Sequence, residues 1–539
     1  MTPKTVRARL AADPALGAGN VLTTVVANGF GLDDPSLTFD TDVDGFPAWQ
    51  PLRVRDVDRL VRSRAASLHG LGIGRRDPVA VIATSAADTV LAFLALARLG
   101  AIPALINPRL APETAALYVR RLRAVAVLTD DAGRARLASH DTDAPLLARL
   151  ADLGSADPAD APEAYRHHAD DPVAITHSSG TTGVPKAVVH SHSSLYAAIN
   201  HRLRMPKAQG TERILSALPA PHVATLIAVN LALSSQTELL ALSEQTGSTA
   251  LDTIERWRPT GVLGFAATWS DLARADLTGR DLDSVALWWN TGDCAHEAHI
   301  RRLVAVGSRL VATSAGRVRQ PGSMFIDGLG SSEMGHSHFF ITHTTETNRY
   351  GRCIGRAHAF ADPRVLGPDG EELPDGQVGE LGTKSATLSL GYWNDSVTTY
   401  RTRDRGYFRT GDLVYRDQEG YFYHLDRLVD SVDLGDGATL YTAMSEERIL
   451  VACPDVADCT VVAVRRDDVV ATDVLLQLAP GADPAADRTD RVRAALDDRV
   501  AATLRKVVVV EDREIPLGPT GKVRKFQLRE RYLAAQGAS

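Results

Sequence analysis

Between residues 53 and 128 apolar runs of two different periods alternate, and this alternation constrains the fold more than any other feature of the chain. Asp56 to Gly70 carries apolar residues at helical spacing, and Pro78-Val-Ala-Val-Ile82 is a short continuous apolar run. Ala86 to Leu99 is helical again, and Ala101 to Ile106 is extended, ending at Asn107-Pro108. A strand that is apolar on both faces needs helices above and below it. The rhythm therefore predicts an α/β domain with a largely parallel sheet. The most apolar stretch, Val90 to Ile106, contains Arg98, Gly100 and Pro103, which makes it a buried helix and strand and not a membrane span.

A polar connector, Ser155 to Asp171, separates this region from a second α/β pattern running from Ile214 to Leu310. After Pro363 the texture changes to short strands and turns at Gly370, Asp375-Gly376 and Asp417 to Gly420, as in a small antiparallel β-subdomain. From about Asp426 it changes again. A strand pair (Thr460 to Val464, Val474 to Leu478), a polar loop (Pro480 to Asp490), a helix (Arg491 to Ala502) and a strand (Lys506 to Val510) describe a compact α+β unit. The expected organisation is a large N-terminal domain over residues 1–425, built from α/β sheet subdomains plus a small β-subdomain. A small α+β C-terminal domain is expected over 426–539.

A net charge of −7 leaves no basic stripe, so nucleic acid is not an expected partner. Four cysteines (Cys294, Cys353, Cys453, Cys459) make neither a disulfide framework nor a zinc set. The N-terminus leads into no apolar signal core, so a reduced, soluble, cytoplasmic protein without a membrane partner is expected. Seven lysines stand against 52 arginines, which makes the position of each lysine informative.

One of them closes the segment His177-Ser-Ser-Gly-Thr-Thr-Gly-Val-Pro-Lys186. Gly180 and Gly183 permit turns in which amide N–H groups converge on an anion. Ser178, Ser179, Thr181 and Thr182 add donors, and Lys186 adds a mobile charge suited to phosphate. A polar surface loop is the bland alternative. Against it, Val173 to Thr176 enters and Ala187 to Val189 leaves as short apolar strands. A Walker loop would open a helix and read GxxxxGK[ST], which this segment does not.

The segment resembles the phosphate loop of the adenylate-forming superfamily, which includes acyl-CoA synthetases, peptide-synthetase adenylation domains and luciferases. Further segments match that family in order, from about residue 80 to 525. Asp327-Gly-Leu-Gly-Ser-Ser-Glu333 resembles its YGxTE motif, with Gly328, Leu329, Gly330 and Ser331 against the nucleotide. There the resemblance implies that Ser332 meets the α-phosphate and Glu333 holds Mg²⁺. Leu329 stands where an adenine-stacking aromatic is usual, which leaves apolar contact only. Gly406-Tyr-Phe-Arg-Thr-Gly-Asp-Leu413 resembles YRTGD and makes Asp412 the ribose ligand. Trp288-Trp-Asn-Thr-Gly-Asp-Cys294 lies where the adenine loop is expected, with Gly292 and Asp293 as its lining. Gly379-Glu-Leu and Gly391-Tyr-Trp-Asn394 match signatures that are mainly structural. Pro516-Leu-Gly-Pro-Thr-Gly-Lys-Val523 resembles the closing P-x-x-x-x-G-K motif. Lys522 is its catalytic lysine, and Lys525 reads as a solvated neighbour. Leu425-Asp-Arg-Leu-Val-Asp430 replaces the usual GRxDD hinge, keeping Arg427 as a catalytic-site arginine but putting Asp426 in place of glycine. The resemblance also implies that the small domain is mobile.

Such a site supports in-line attack of an oxyanion on the α-phosphorus of ATP with release of pyrophosphate, chemistry made of positioning and charge neutralisation. The resemblance implies ATP and Mg²⁺, a small-molecule acid and an acceptor. CoA is the expected co-substrate of a free-standing enzyme, and a homodimer is among the states open to it. His222, Trp288, Met334 and Gly335 are the expected substrate-pocket residues, and His222 with the pair Trp269 and Trp288 favours a small aromatic or unsaturated acid over a long acyl chain. A second reading has a non-carboxylate oxyanion such as nitrite adenylated and passed to an aryl amine, giving a diazo group. The odd 290–294 loop and the altered hinge keep it open. A non-catalytic nucleotide-binding protein should lack Lys522 or Glu333, and both are present.

Overall fold

The computed structural model describes residues 4–178, 184–314, 316–466, 469–518 and 520–537. The two predicted α/β regions form two sheets. The first, of seven strands, is ordered Gly391–Tyr392, Ala187–Ser191, Pro172–His177, Ile102–Ile106, Pro78–Ile82, Ala126–Thr129, Leu146–Arg149. Its members from Pro172–His177 onward are parallel, while Ala187–Ser191 returns antiparallel along Pro172–His177. Helices Val54–Gly70 and Ala86–Leu99 cover it, and their apolar faces (Val57, Leu60, Val90, Leu91) lie in the largest core cluster. Ala86–Leu99 begins and ends where its chemistry dictates. Ser85 accepts from the Asp88 N–H at its N-cap, and Gly100 takes the left-handed conformation at its C-cap.

The second sheet has fourteen strands, and its central part is parallel: Pro35–Phe39, Glu238–Ala241, Arg213–Ser216, Gly261–Gly264, Leu287–Asn290, Met324–Asp327. The expected β-subdomain is not a separate body. Phe339–His343 pairs antiparallel with Met324–Asp327 and starts a continuous antiparallel extension through Cys353–Ala357, Phe422–Arg427, Tyr407–Arg416, Gly379–Ser385 and Ala361–Leu366. The parallel strands end side by side at Ser216, Gly264, Asn290 and Asp327, and ligands of open α/β sheets bind outside such carboxyl ends.

The smaller C-terminal domain carries the hairpin Val456–Arg466/Val469–Leu478, with Leu504–Val509 parallel to its second strand. Helix Thr442–Ala452 packs on this sheet through Ile449 and Leu450, against Val461, Val474 and Leu476. The helix expected over 491–502 is two pieces, Thr489–Ala495 and Asp498–Ala501. Leu496 is extended and Asp497 caps the second piece by accepting from Val500 N–H, so a local side-chain hydrogen bond defeats helical continuity.

The two domains meet along a polar seam. His299 Nε2 donates to the Ala457 carbonyl (2.8 Å), His296 Nδ1 meets Glu447 Oε2 (2.7 Å), Arg274 pairs with Asp512 (2.8 Å), and Ser270 bonds Asp458. Lys525 is not solvated as expected. It is half-buried, paired with Glu446 at 2.7 Å and donating to Thr442 Oγ1 at 2.8 Å. All four cysteines are free and buried.

Candidate active site

A cavity of about 1340 Å³ opens at the carboxyl ends of the parallel strands and is closed from the other side by the C-terminal domain. The phosphate-loop segment forms one edge. Ser178 and Lys186 close its neck: Ser178 N–H donates to Lys186 O (3.0 Å), and Lys186 N–H donates to Ser178 Oγ (3.1 Å). Ser179, Gly180, Thr181, Thr182 and Gly183 lie outside the described residues. The Lys186 ammonium faces the cavity above the Tyr392 ring, 5.2 Å from its centroid. Tyr392, from a segment expected to be mainly structural, also donates its hydroxyl to Glu333 Oε1 (3.0 Å). Tyr392 thereby links the phosphate-loop lysine, some two hundred residues upstream, to Glu333.

The 290–294 and 327–333 loops are tied to each other. Gly330 N–H donates to Gly292 O at 2.8 Å. Asp327, fully buried, accepts from Asn290 Nδ2 (2.6 Å), from its neighbour Gly328 N–H (2.8 Å), from Ala295 N–H and from the Cys294 thiol. Burial raises the Asp327 pKa to about 6 although all four donors act to lower it. Gly292, Gly330, Ser331, Ser332, Glu333 and Gly335 line the cavity. Gly335 is at φ +70°, and a Cβ there would strike the Thr387 carbonyl, so this turn requires glycine.

Four expected contacts are corrected. Leu329 does not face the cavity. It is 3% exposed and packs with Phe339, Val365, Leu381 and Phe422 under the 327–333 turn. Gly328 lies with it beneath the surface, its Cα hemmed in by the Phe339 carbonyl. Trp288 is core: it is fully buried, edge-on to Trp269, and donates Nε1–H to Leu303 O and Ser323 Oγ. Side chains alternate along the strand Leu287–Asn290, so Leu287 and Trp289 face the cavity instead. Met334 is also fully buried, and its carbonyl accepts from Thr387 Oγ1 at 2.7 Å. His222 does line the cavity, edge-on to Phe265 at 4.8 Å, with Nδ1 capping the helix Val223–Ser235. Burial, with His177 and His190 adding to it, pushes its pKa down to about 3, so the ring is neutral.

Lys522 enters from the C-terminal domain and places Nζ 2.8 Å from Asp293 Oδ2. Asp293 therefore faces the lysine. Its Oδ1 lies 3.5 Å from both Arg352 Nη2 and His424 Nδ1. Burial works against its ionisation, but Lys522, His424 and Arg352 outweigh it and hold the carboxyl well below the usual range. Asp412 is buried beneath Thr410 and Gly411, which line the cavity, and pairs with Arg427 at 2.9 Å with His424 Nε2 at 3.6 Å. Burial is again outweighed, by Arg427 and His424, so Asp412 is held ionised. His424 thus stands between two carboxylates, and Arg352 donates to it at 2.8 Å. Sequence reading passed over Asp327, Asn290, Arg352 and His424. Asp327 offered a signal, as the polar end of a strand running into a glycine turn. Arg352 and His424 offered none, because only the pairing of Cys353 with Tyr423 brings them together.

Residues 26–393 match the family described as AMP-binding enzyme. The chain belongs to that family. It is 44% identical to 3-aminoavenalumate diazotase of a Streptomyces species, over 98% of both chains. It is also 29% identical to indoleacetate–CoA ligase of Aromatoleum aromaticum, over 87% of this chain and 91% of the relative. Among solved structures, the anthranilate CoA ligase AuaEII in complex with anthranoyl-AMP matches with a TM-score of 0.83 at 21% identity, covering 97% of this chain and 99% of that one. O-succinylbenzoate CoA synthetase of Bacillus subtilis, in complex with ATP and magnesium ion, matches at 0.76 and 20%, covering 95% and 99%. The protein is an adenylate-forming ligase of mixed α/β fold, with a large N-terminal and a smaller C-terminal domain. Among the described residues no helix is long and apolar enough to cross a membrane.

Proposed function

We propose that this enzyme is an ATP-dependent diazotase that adenylates nitrite and passes the nitroso group to an aromatic amine. The observation that carries this is the full-length 44% likeness to an enzyme named as a diazotase. A nitrite oxygen attacks the α-phosphorus of ATP, and the bond to pyrophosphate breaks. The amine nitrogen then attacks the nitroso nitrogen, AMP leaves with the oxygen, and the amine loses a proton. The resulting N-nitrosamine takes up a proton and loses water to give the diazonium ion.

The residues on hand suit the first step. Lys186 and Ser178 stand where a triphosphate tail needs donors and charge. Asp412, under Thr410 and Gly411, supplies a carboxylate for ribose hydroxyls. Lys522 brings an ammonium to the attacking oxyanion, which it reaches by exchanging Asp293 for the substrate. Ser332 is placed for the α-phosphate, and Arg427 neutralises Asp412 beside it. Among the described residues no group of three His, Cys, Asp or Glu side chains is disposed to hold a metal alone. One carboxylate, Glu333, oriented by Tyr392, fits an ion carried in on phosphate oxygens, which is the usual manner of Mg²⁺. Bound there, Mg²⁺ would supply charge neutralisation for the departing pyrophosphate.

We place the domain boundary just past the strand Phe422–Arg427, at Val429–Asp430 and a few residues beyond the expected 425/426, and the structure there favours an acceptor that needs no large domain rotation. Asp426, in the position of the usual hinge glycine, accepts from both the N–H and the hydroxyl of Thr442 at the start of helix Thr442–Ala452. Rotation about Val429–Asp430 would strip this helix of its anion. The alternative is transfer of an activated aromatic acid to CoA, which the CoA-ligase relatives favour. Incubation with ATP, Mg²⁺ and a panel of aryl amines, each with nitrite or with CoA, separates the two. Nitrite-dependent pyrophosphate release with azo-coupling product is expected. A CoA thioester without any response to nitrite would overturn the proposal.

A further inference from the structure

The cavity has two poles, and only one is accounted for by the nucleotide site. At the other, the helix Ser194–Arg204 presents His201 and Arg202 to the space. Facing them is a ladder of rings. His358 stacks on Phe360 (4.9 Å, 11°) and on Phe340 (4.6 Å, 24°), while His336 meets Phe360 edge-on at 5.5 Å.

Arg202 is half-buried here without a counter-ion. Among the described residues no carboxylate pairs with its guanidinium, and the one charge acting on it is the repelling Arg7, whose own side chain is committed to the carbonyls of Arg202 and Leu203. The amine of Lys207, just beyond, is buried with no hydrogen-bond partner and also feels Arg7, with Glu212 its one acidic neighbour. The imidazoles of His336 and His358 are driven neutral by burial first, with neighbouring histidines and Arg202 adding to it. They offer ring edges and hydrogen bonds but no negative charge. A desolvated guanidinium costs free energy until an anion reaches it, and its planar fork matches a carboxylate. Ring edges beside it suit an aromatic or conjugated plane.

This pole and the reacting one are built on different elements, Arg202 on the helix Ser194–Arg204 and Lys522 on the C-terminal domain. The charges that set Asp293 are Lys522, His424 and Arg352, and those that set Arg427 are Asp412, Asp293, Glu333 and Asp430. Arg202 figures in neither set. The reacting pole has its own cation in Lys522, so Arg202 is a second cation on the cavity wall.

We propose that Arg202 binds the carboxylate of an aromatic amine substrate whose ring lies along His358 and Phe360, so that the carboxylate is a recognition handle and the amine is the reacting group. This rests on the diazotase reading. It inverts the arrangement of a carboxylate-activating ligase, in which the carboxylate would lie at Lys522.

The test compares 3-aminocinnamate with its methyl ester, using nitrite and ATP and reading diazonium by azo coupling, in wild type, Arg202→Gln and Arg202→Lys. Wild type should favour the acid by roughly 10- to 100-fold in kcat/KM, the span expected of one charged hydrogen-bonded contact. Arg202→Gln should bring that ratio close to one through KM for the acid, and Arg202→Lys should restore part of it. Equal losses for acid and ester in Arg202→Gln, or an unaltered ratio, would overturn the subsite. A second measurement, quenching of protein fluorescence by 3-aminocinnamate without ATP, separates the two claims. If no amine yields diazonium but the acid still binds wild type more tightly than Arg202→Gln, the subsite stands and the diazotase reading falls. If the acid binds both alike, the subsite falls whatever the reaction.

Discussion

Asp327 turns the active-site framework into a pH-dependent load on stability. Its carboxyl is wholly buried and its pKa is raised from 3.8 to about 6 by that burial, against the pull of four donors. A group with a raised folded pKa contributes its full share below the unfolded value and loses it as pH climbs through the folded one. The window is therefore about pH 4 to 6, and the loss is worth about 3 kcal/mol at about 1.4 kcal/mol per pH unit. Asp293 and Asp412 act in the opposite sense, since both are held ionised. Their stabilisation is present above about pH 4 and fades below it. Comparing wild type with Asp327→Asn cancels those contributions. The variant carries a constant penalty, because an amide has one acceptor oxygen where Asn290, Gly328 and Ala295 all donate. On top of that constant, the difference in unfolding free energy should move by about 3 kcal/mol in the variant's favour between pH 4 and 7. Urea denaturation at closely spaced pH values, followed by tryptophan fluorescence, reads it directly. Parallel pH profiles for the two proteins would refute the reasoning, because they would mean that Asp327 titrates alike in the folded and unfolded chains.

Three further outcomes are expected. Lys522→Ala should lower substrate-dependent pyrophosphate release by at least about 100-fold, the scale of losing one charge-stabilising donor, while ATP still binds in a calorimetric titration; undiminished release would dismiss Lys522 from the chemistry. Asp426→Ala removes the anion from the start of helix Thr442–Ala452 and should cost about 1 kcal/mol, seen as faster limited proteolysis of the C-terminal domain, with equal rates counting against the cap. Leu329→Tyr restores the residue usual at that position but overfills a packed core. It should destabilise by about 1–3 kcal/mol in urea with no gain in ATP affinity, and tighter ATP binding would show that position 329 faces the nucleotide after all.

The elements legible in the sequence were those whose signal is local. Ala86–Leu99 is bounded by its own caps, and Pro172–His177 with Ala187–Ser191 by the turn-rich segment between them. The family motifs located Glu333, Asp412 and Lys522 because each lies in a contiguous pattern. What escaped was set by pairing across long separations. Pro35–Phe39 crosses to Glu238–Ala241, and Arg352 reaches His424 only through the sheet. Trp288 is expected in the pocket, but strand parity, which composition does not fix, turns it into the core and gives the cavity to Trp289. Lys525 read as solvated because its partners, Glu446 and Thr442, lie some eighty residues upstream.

The seam between the domains has a consequence for turnover. It is composed of separate polar contacts, Arg274–Asp512, His296–Glu447, His299–Ala457 and Lys522–Asp293, instead of a continuous apolar patch. Each of these groups can exchange its partner for water at small net cost. On the proposed function, parting the domains to discharge AMP and product would bare two wettable faces, neither of which invites association with another molecule. The same composition would make closure of the domains sensitive to ionic strength, so turnover is expected to vary with salt.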